Sequence, residues 1–289
     1  MSLQPSEFIL NEDGSIYHLN LIPNQLATTV ITVGDPDRVN QITQHFDTIE
    51  FKVHKREFHT QTGSYKGKRI SVISTGIGTD NIDIVLNELD ALVNIDFGTR
   101  KIKKKLTSLN IIRIGTSGSI QKNIPIDSFL VSETAVGFDS LLHFYKSEGI
   151  QELKFSESLL THLILPRENG VPYVVNADPS LLSYFNKDYF KGTTVTNCGF
   201  YGPQGRVLRL PLNNPHLNER MASFNHMDKT ITNLEMETAG IYGLSKLLGH
   251  RAVSLNAIVA NRATGQFSAD PTATVDKLII DALQKIATI

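Results

Sequence analysis

The sequence predicts an α/β fold. Short runs rich in β-branched residues, such as Thr29–Val33 and 252–259, alternate with stretches whose apolar residues recur at helical spacing. The strand-like runs are apolar at successive positions, as expected of strands covered on both faces. Hydrophobic residues make up 40% of the 289, and glycine and proline are scattered rather than gathered into a linker. One domain over 1–289 is therefore expected, although the length could hold two.

In chain order, Thr29–Val33 reads as a buried strand ended by Gly34. Asp35 and Pro36 suit the cap and first turn of a short helix running to about Phe46. Phe58–Tyr65 and 70–74 read as a hairpin turned at Lys66-Gly67. Ile82, Leu86, Leu89 and Val93 share one face of a helix opened by Asp80-Asn81. Residues 94–109 include the basic run 100–105 and read as an exposed, solvated insertion. A strand over 110–114 runs into a Gly-Thr-Ser-Gly turn at 115–118, and 129–134 is a further strand. Helices are predicted over 156–169, 217–224, 237–248 and 274–289. The third carries Ile241, Leu244 and Leu248 on one stripe and stops at Gly249, as a C-cap requires.

Charge and cysteine content narrow the function classes. Lys plus Arg (28) against Asp plus Glu (29) gives a net charge of −1, which provides no broad basic field for nucleic acid or an anionic membrane. The first ten residues lack the cationic flank and apolar run of a signal peptide, and no segment approaches ~18 consecutive apolar residues. A soluble, cytoplasmic protein with a small-molecule partner is the expectation. The lone Cys198, in a β-type run, is expected to pack as a small hydrophobe. The histidines show no metal-ligand spacing, so no catalytic metal is expected.

Four motifs carry chemistry. Gly34 at a strand end, with a helix start beyond it, lets backbone and N–H groups approach an anion, and Arg38 one turn inside would complete a clamp. Arg113 stands inside an otherwise apolar strand, where a guanidinium requires either a protein carboxylate or an anionic ligand. The hydroxyls of Thr116 and Ser117 beside it favour an anion. Glu235 and Glu237 share a face if their stretch is extended, where they could hold sugar hydroxyls or simply complement a helix dipole. Phe200, Gln204 and Arg206 in a Gly/Pro loop suit a flat heterocycle with amide edges. No GxGxxG or Walker sequence is present.

In this order the motifs resemble the nucleoside phosphorylase family, most closely its uridine phosphorylase branch. The resemblance runs from about His18 to Arg262 and is densest at 33–39, 56–58, 74–78, 113–116, 200–206, 235–237 and Asn261-Arg262. It implies a single-domain, three-layer α/β/α fold with a mixed, partly barrel-like central sheet. It implies a phosphate cradle of Gly34, Arg38, Arg113 and Thr116, with Arg56 reaching in from a neighbouring subunit. His18, also from the neighbour, would approach the sugar with Met236, Glu237 and nearby Glu235. Ser117, Gly118, Phe200, Gln204 and Arg206 would form the base pocket, and Arg206, Gln204 and Glu237 would carry the reaction. Inorganic phosphate is the implied co-substrate, no organic cofactor is implied, and the implied assembly is a homodimer with shared sites, or a hexamer of three dimers.

Purine-cleaving relatives place an Asp near the position of Asn261, and this chain has none there. Gln204 and Arg206 are the uracil-reading pair of the uridine branch, so uridine is the expected substrate. The alternatives are a purine nucleoside phosphorylase, a phosphate-independent nucleosidase, or a non-catalytic nucleoside-binding regulator. Two departures stand out. Thr79-Asp80-Asn81 replaces a smaller sequence beside a monovalent-cation site that the resemblance would put near Glu57, Ile77 and Asn81, and the 94–109 segment is long.

Overall fold

Successive residues of the apolar strands face opposite layers, and this alternation sets the architecture. Strand β1 (Thr29–Val33) sends Val30 to one core and Ile31 and Val33 to another. The computed structural model describes residues 2–165 and 169–289. After β1 come helix α1 (Pro36–Thr43), strands β2 (Thr48–Lys55), β3 (Phe58–Tyr65) and β4 (Lys68–Ser74), and helix α2 (Thr79–Asn94). β5 (Ile95–Asp96) and β6 (Lys101–Ile102) form a separate hairpin in the long 94–109 segment, with Lys101, Lys104 and Lys105 exposed. Then follow β7 (Asn110–Ser119), β8 (Phe129–Gly137), α3 (Leu153–Leu163), β9 (Tyr173–Asn176), α4 (Pro179–Leu182) and β10 (Phe190–Thr196). The chain finishes with α5 (Leu217–Ser223), β11 (Asn225–His226), β12 (Lys229–Glu235), α6 (Thr238–Leu248), β13 (Arg251–Asn261), β14 (Gln266–Phe267) and α7 (Pro271–Ile286).

The large sheet is mixed. Its order is β11-β12-β10-β8-β13-β7-β1-β4-β3-β2, with β9 on β8 and β14 on β13. β12 also pairs antiparallel with β7, Leu234 opposite Gly118, which closes β7, β13, β8, β10 and β12 into a ring. Helices α2 and α6 cover one face with Val30, Ile73 and Ile111, while α1 and α7 cover the other with Ile31, Ile112 and Val253. Fully buried side chains such as Leu86 and Ile279 each contribute about 1.5–3 kcal/mol. Inside the ring a polar network replaces hydrocarbon: Ser117, Asn233, Thr194, Ser132 and Asn256, one from each strand, are buried and hydrogen-bonded in series.

Several sequence expectations change. Residues 115–118 are not a turn: β7 continues through them to Ser119, because Gly115, Thr116 and Ser117 keep register with Asn256, Ala257 and Ile258 of β13. The helix expected over 156–169 begins at Leu153 and ends at Leu163, where Ile164 turns left-handed with φ 51°; residues 166–168 of that expectation lie outside the described residues. The last helix starts earlier, at Pro271, because Asp270 caps it by accepting from Ala273 N. Cys198 is exposed rather than packed, since β10 ends at Thr196.

Candidate active site

The ends of β1, β7, β12 and β13 surround a cavity of about 490 Å³. At the end of β1, Gly34 is followed by Asp35, whose side chain accepts from Asp37 N and so caps α1. That cap places Arg38 in the first turn, facing the cavity. Arg38 Nη1 reaches Ile114 O at 3.4 Å, while its buried Nε has no partner among the described residues. Burial, then the neighbouring Arg113, pulls the Arg38 pKa below its ordinary value.

Arg113 crosses the ring interior to two carboxylates. Its Nη2 donates to Glu237 Oε2 at 2.5 Å and lies 3.2 Å from Glu235 Oε2. Burial opposes the charge of Arg113, but Glu235 and Glu237 together raise its pKa above the usual value. Its Nη1 is buried and unpartnered among the described residues. Gly115 makes this geometry possible: a Cβ there would lie 2.0 Å from Arg113 Nη1 and 2.5 Å from its Cζ.

Glu235 ends β12 and Glu237 precedes α6, so the intervening backbone is not helical and both carboxylates meet Arg113. Glu235 also accepts from Thr196 Oγ1 at the end of β10, and from Glu237 N, Thr238 N and Thr238 Oγ1, the groups that start α6. Glu237 accepts from Gly78 N at 2.9 Å, and burial pushes its pKa up. The structural ion pair of Arg113 is thus present through Nη2, while Nη1 is left unpartnered among the described residues.

At the opposite end, the loop after Gly199 folds on itself. Arg206 lies 3.7 Å from the centroid of the Phe200 ring, donates to Phe200 O at 2.7 Å and to Gln204 Oε1 at 2.5 Å. Phe200 therefore stacks on Arg206 in this structure. Burial, then the charge of Arg262, lowers the Arg206 pKa. Arg262 donates to Gln204 O and, at 3.0 Å, to Gly205 O, and Asn218 Nδ2 donates to Gln204 O at 3.0 Å. These bonds fix the loop from outside.

Of the residues singled out in the sequence, Gly34, Arg38, Arg113, Thr116, Ser117, Gly118, Phe200, Gln204, Arg206, Glu235, Met236 and Glu237 all line this cavity. His18 and Arg56 do not. Arg56, exposed at the β2–β3 turn with φ 56°, lies over the Tyr17 ring, and His18 stacks edge-on against Tyr17 and bonds Glu88 at 2.7 Å. The two residues lie together around Tyr17, outside the cavity lining. Ile77 lines the cavity, and Glu57 and Asn81 flank Gly76, where a Cβ would lie 3.2 Å and 2.5 Å from their side-chain atoms. Among the described residues no three His, Cys, Asp or Glu side chains could jointly hold a metal ion. No described helix is long and apolar enough to cross a membrane.

Sequence reasoning missed Leu234, Val259, Ala260 and Phe267, which line the cavity without any polar chemistry to flag them. It also gave no role to Arg262. Asn261 does not line the cavity: its Nδ2 donates to Gln121 O and Ile124 O, and its Oδ1 accepts from Ala263 N and Thr264 N. A second hollow of about 890 Å³, lined by Asp139, Cys198 and Leu208 among others, is larger but shares only Arg206 with the first. It holds neither Arg38, Arg113 nor the two glutamates, so the smaller cavity has the chemistry.

The sequence model of the Phosphorylase superfamily matches residues 28–289. A uridine phosphorylase of Thermococcus kodakarensis is 31% identical over 262 residues, covering 89% of this chain and 81% of the relative. A DeoD-type purine nucleoside phosphorylase of Shewanella amazonensis is 27% identical over 251 residues, covering 86% of this chain and 88% of the relative. Among solved structures, a Trypanosoma brucei nucleoside phosphorylase, described as showing uridine phosphorylase activity, superposes with a TM-score of 0.88 at 29% identity, covering 98% of this chain and all (100%) of that one.

Proposed function

The chain belongs to the phosphorylase superfamily, and on that premise we propose that it cleaves a pyrimidine nucleoside, uridine first, by phosphorolysis to free base and ribose 1-phosphate. The observation that carries this reading is the juxtaposition of Arg38 and Arg113. Two neighbouring guanidinium groups, each with a buried nitrogen unpartnered among the described residues, stand at one end of a cavity whose other end presents Gln204 and Arg206. Glu235 and Glu237 already balance the charge of these two groups, but Arg38 Nε and Arg113 Nη1 still lack acceptors among the described residues, and phosphate oxygens would supply them.

Phosphate held by Gly34, Arg38, Arg113 and Thr116 attacks the anomeric carbon as the bond to the base breaks. Orienting the nucleophile in this way can supply on the order of 7 kcal/mol or more at best. Positive charge grows on the sugar beside Glu237 and Met236, with Glu235 holding Arg113 and the start of α6. Negative charge grows on the base, where Gln204 and Arg206 stabilise it with hydrogen bonds that strengthen as the charge develops. Ser117, Gly118 and Phe200 complete the base pocket.

The patch formed by His18 and Arg56 supports a homodimer in which the partner's His18 reaches the sugar and the partner's Arg56 the phosphate; a hexamer of three such dimers extends the same contact. Residues 1–289 act as one domain with 94–109 as an insertion, and Glu57, Ile77 and Asn81 hold a structural monovalent cation. The pyrimidine reading is favoured over a purine one by Asn261, whose side chain is spent on backbone groups and offers no carboxylate to the cavity. Equal amounts of uracil and ribose 1-phosphate from uridine and phosphate would support the reaction type; free ribose would assign hydrolysis instead.

A further inference from the structure

Resting on the reading of Ser117 as a base-pocket residue, we propose that its hydroxyl is a one-way hydrogen-bond donor to the base, with the direction imposed by the buried side chain of Asn233. Asn233 is thus a positioning residue for the reaction.

The argument is one of hydrogen-bond supply. Asn256 Nδ2 donates to Ser132 Oγ at 3.1 Å, Ser132 Oγ and Thr194 Oγ1 are 2.5 Å apart, Thr194 Oγ1 donates to Asn233 Oδ1 at 2.9 Å, and Asn233 Nδ2 donates to Ser117 Oγ at 2.9 Å. Thr232 Oγ1 can place its one hydrogen on Asn233 Oδ1, at 2.8 Å, or on Thr193 O, at 3.0 Å. A hydroxyl has one hydrogen. That of Thr194 goes to Asn233, so Ser132 supplies the one between Ser132 and Thr194, and every donor in the series runs toward Ser117.

The reverse arrangement is worse. With the Asn233 amide turned over, Thr194 would donate to Ser132, which already accepts from Asn256, and the Ser132 hydrogen would be left with no acceptor. Turning Asn256 as well would put its NH2 group where its oxygen now lies, a buried position without a partner among the described residues. Orphaned buried donors are rarer than orphaned carbonyl oxygens. The observed direction leaves the Asn256 oxygen as the one unpaired acceptor of this series and places the one unused hydrogen on Ser117, at the cavity.

Ser117 therefore receives a hydrogen bond from Asn233 and has no acceptor for its own hydrogen among the described residues, while it lines the cavity beside Gly118. The hydrogen is directed at the ligand. A donor fixed before the reaction begins costs no reorganisation as negative charge grows on the departing base, and so favours the transition state over the bound nucleoside.

The test is steady-state phosphorolysis of uridine by the full-length enzyme and its Ser117→Ala, Asn233→Asp and doubly substituted forms. A carboxylate at 233 offers Ser117 only acceptors and draws its hydrogen away from the base. Each single change is expected to lower kcat roughly 10²-fold, with KM moved by less than about threefold, and the double change to be no worse than either single one. Costs that multiply in the double variant would overturn the inference. Ser117→Ala and Ser117→Thr decide the point independently, because they leave Asn233 intact: Thr should restore kcat, and an Ala variant that raises KM with kcat unchanged would overturn it. A wild-type enzyme that releases no uracil from uridine would overturn the functional reading itself, an outcome distinct from multiplying costs in an active enzyme.

Discussion

Arg113 donates to Glu237 at 2.5 Å and lies 3.2 Å from Glu235, so one guanidinium bridges two buried carboxylates that come from the end of a strand and the start of a helix. The same side chain keeps a free Nη1 beside Arg38. Folding stability and the proposed phosphate binding therefore converge on it. Arg113→Met should cost about 3–5 kcal/mol of unfolding free energy, the penalty of leaving buried charge without its partner, and should abolish phosphate-dependent turnover. Denaturant melts measure the first effect; a loss under about 1 kcal/mol, the scale of an exposed pair, would contradict the account.

Gly115 reads in the sequence as a turn glycine, yet its role is to make room. Gly115→Ala would put a methyl group 2.0 Å from Arg113 Nη1, which forces the guanidinium to move. The expected outcome is a KM for phosphate raised by roughly tenfold or more, as a displaced charge contact worth about 1.4 kcal/mol would give, with a smaller change in the KM for uridine. Equal effects on both substrates would argue against placing phosphate beside Arg113.

Arg206 is committed to Phe200, Gln204 and the cavity at once. Arg206→Ala should cut the rate on uridine by roughly 10² or more, the scale of losing one group that stabilises transition-state charge. Near-normal turnover by this variant would remove the basis for the uracil-reading pair.

Asp139 supplies a pH test. Burial raises its pKa, against hydrogen bonds from Leu141 N and Tyr173 Oη. In the folded protein it keeps its proton above the ordinary value of about 3.9, so the folded state binds more protons than the unfolded one across that window. Its contribution to stability is present at low pH and is lost as pH rises through the raised value. Asp139→Asn has no such proton to lose. Urea melts from acid to neutral pH should show the stability of the variant, relative to wild type, rising across the window; a flat or falling difference would contradict the assignment.

Local chemistry in the sequence located the elements better than it located their partners. Asp35 at the start of α1 and Gly249 at the end of α6 are short-range signals, and the structure uses both as caps. Gly115 opens a Gly-Thr-Ser-Gly sequence that reads as a turn after an apolar run, whereas its function here is to clear space for a side chain two positions away. Ring closure by Leu234 and Gly118 joins residues far apart in the chain, and nothing in either segment announces it. Val259, Ala260 and Phe267 enter the cavity only through the register of β13 and β14, so no local pattern marks them. Arg113 showed the opposite behaviour: a lone charge in an apolar strand signalled its own need for a partner, and two carboxylates meet it.

The central claim, phosphate-dependent cleavage of a pyrimidine nucleoside, is tested most directly by measuring base release from uridine, thymidine, inosine and adenosine, each with and without phosphate. Uracil release from uridine that requires phosphate, with little or no base from inosine or adenosine, is the predicted result. Purine release that exceeds uracil release, or cleavage that proceeds equally without phosphate, would contradict it.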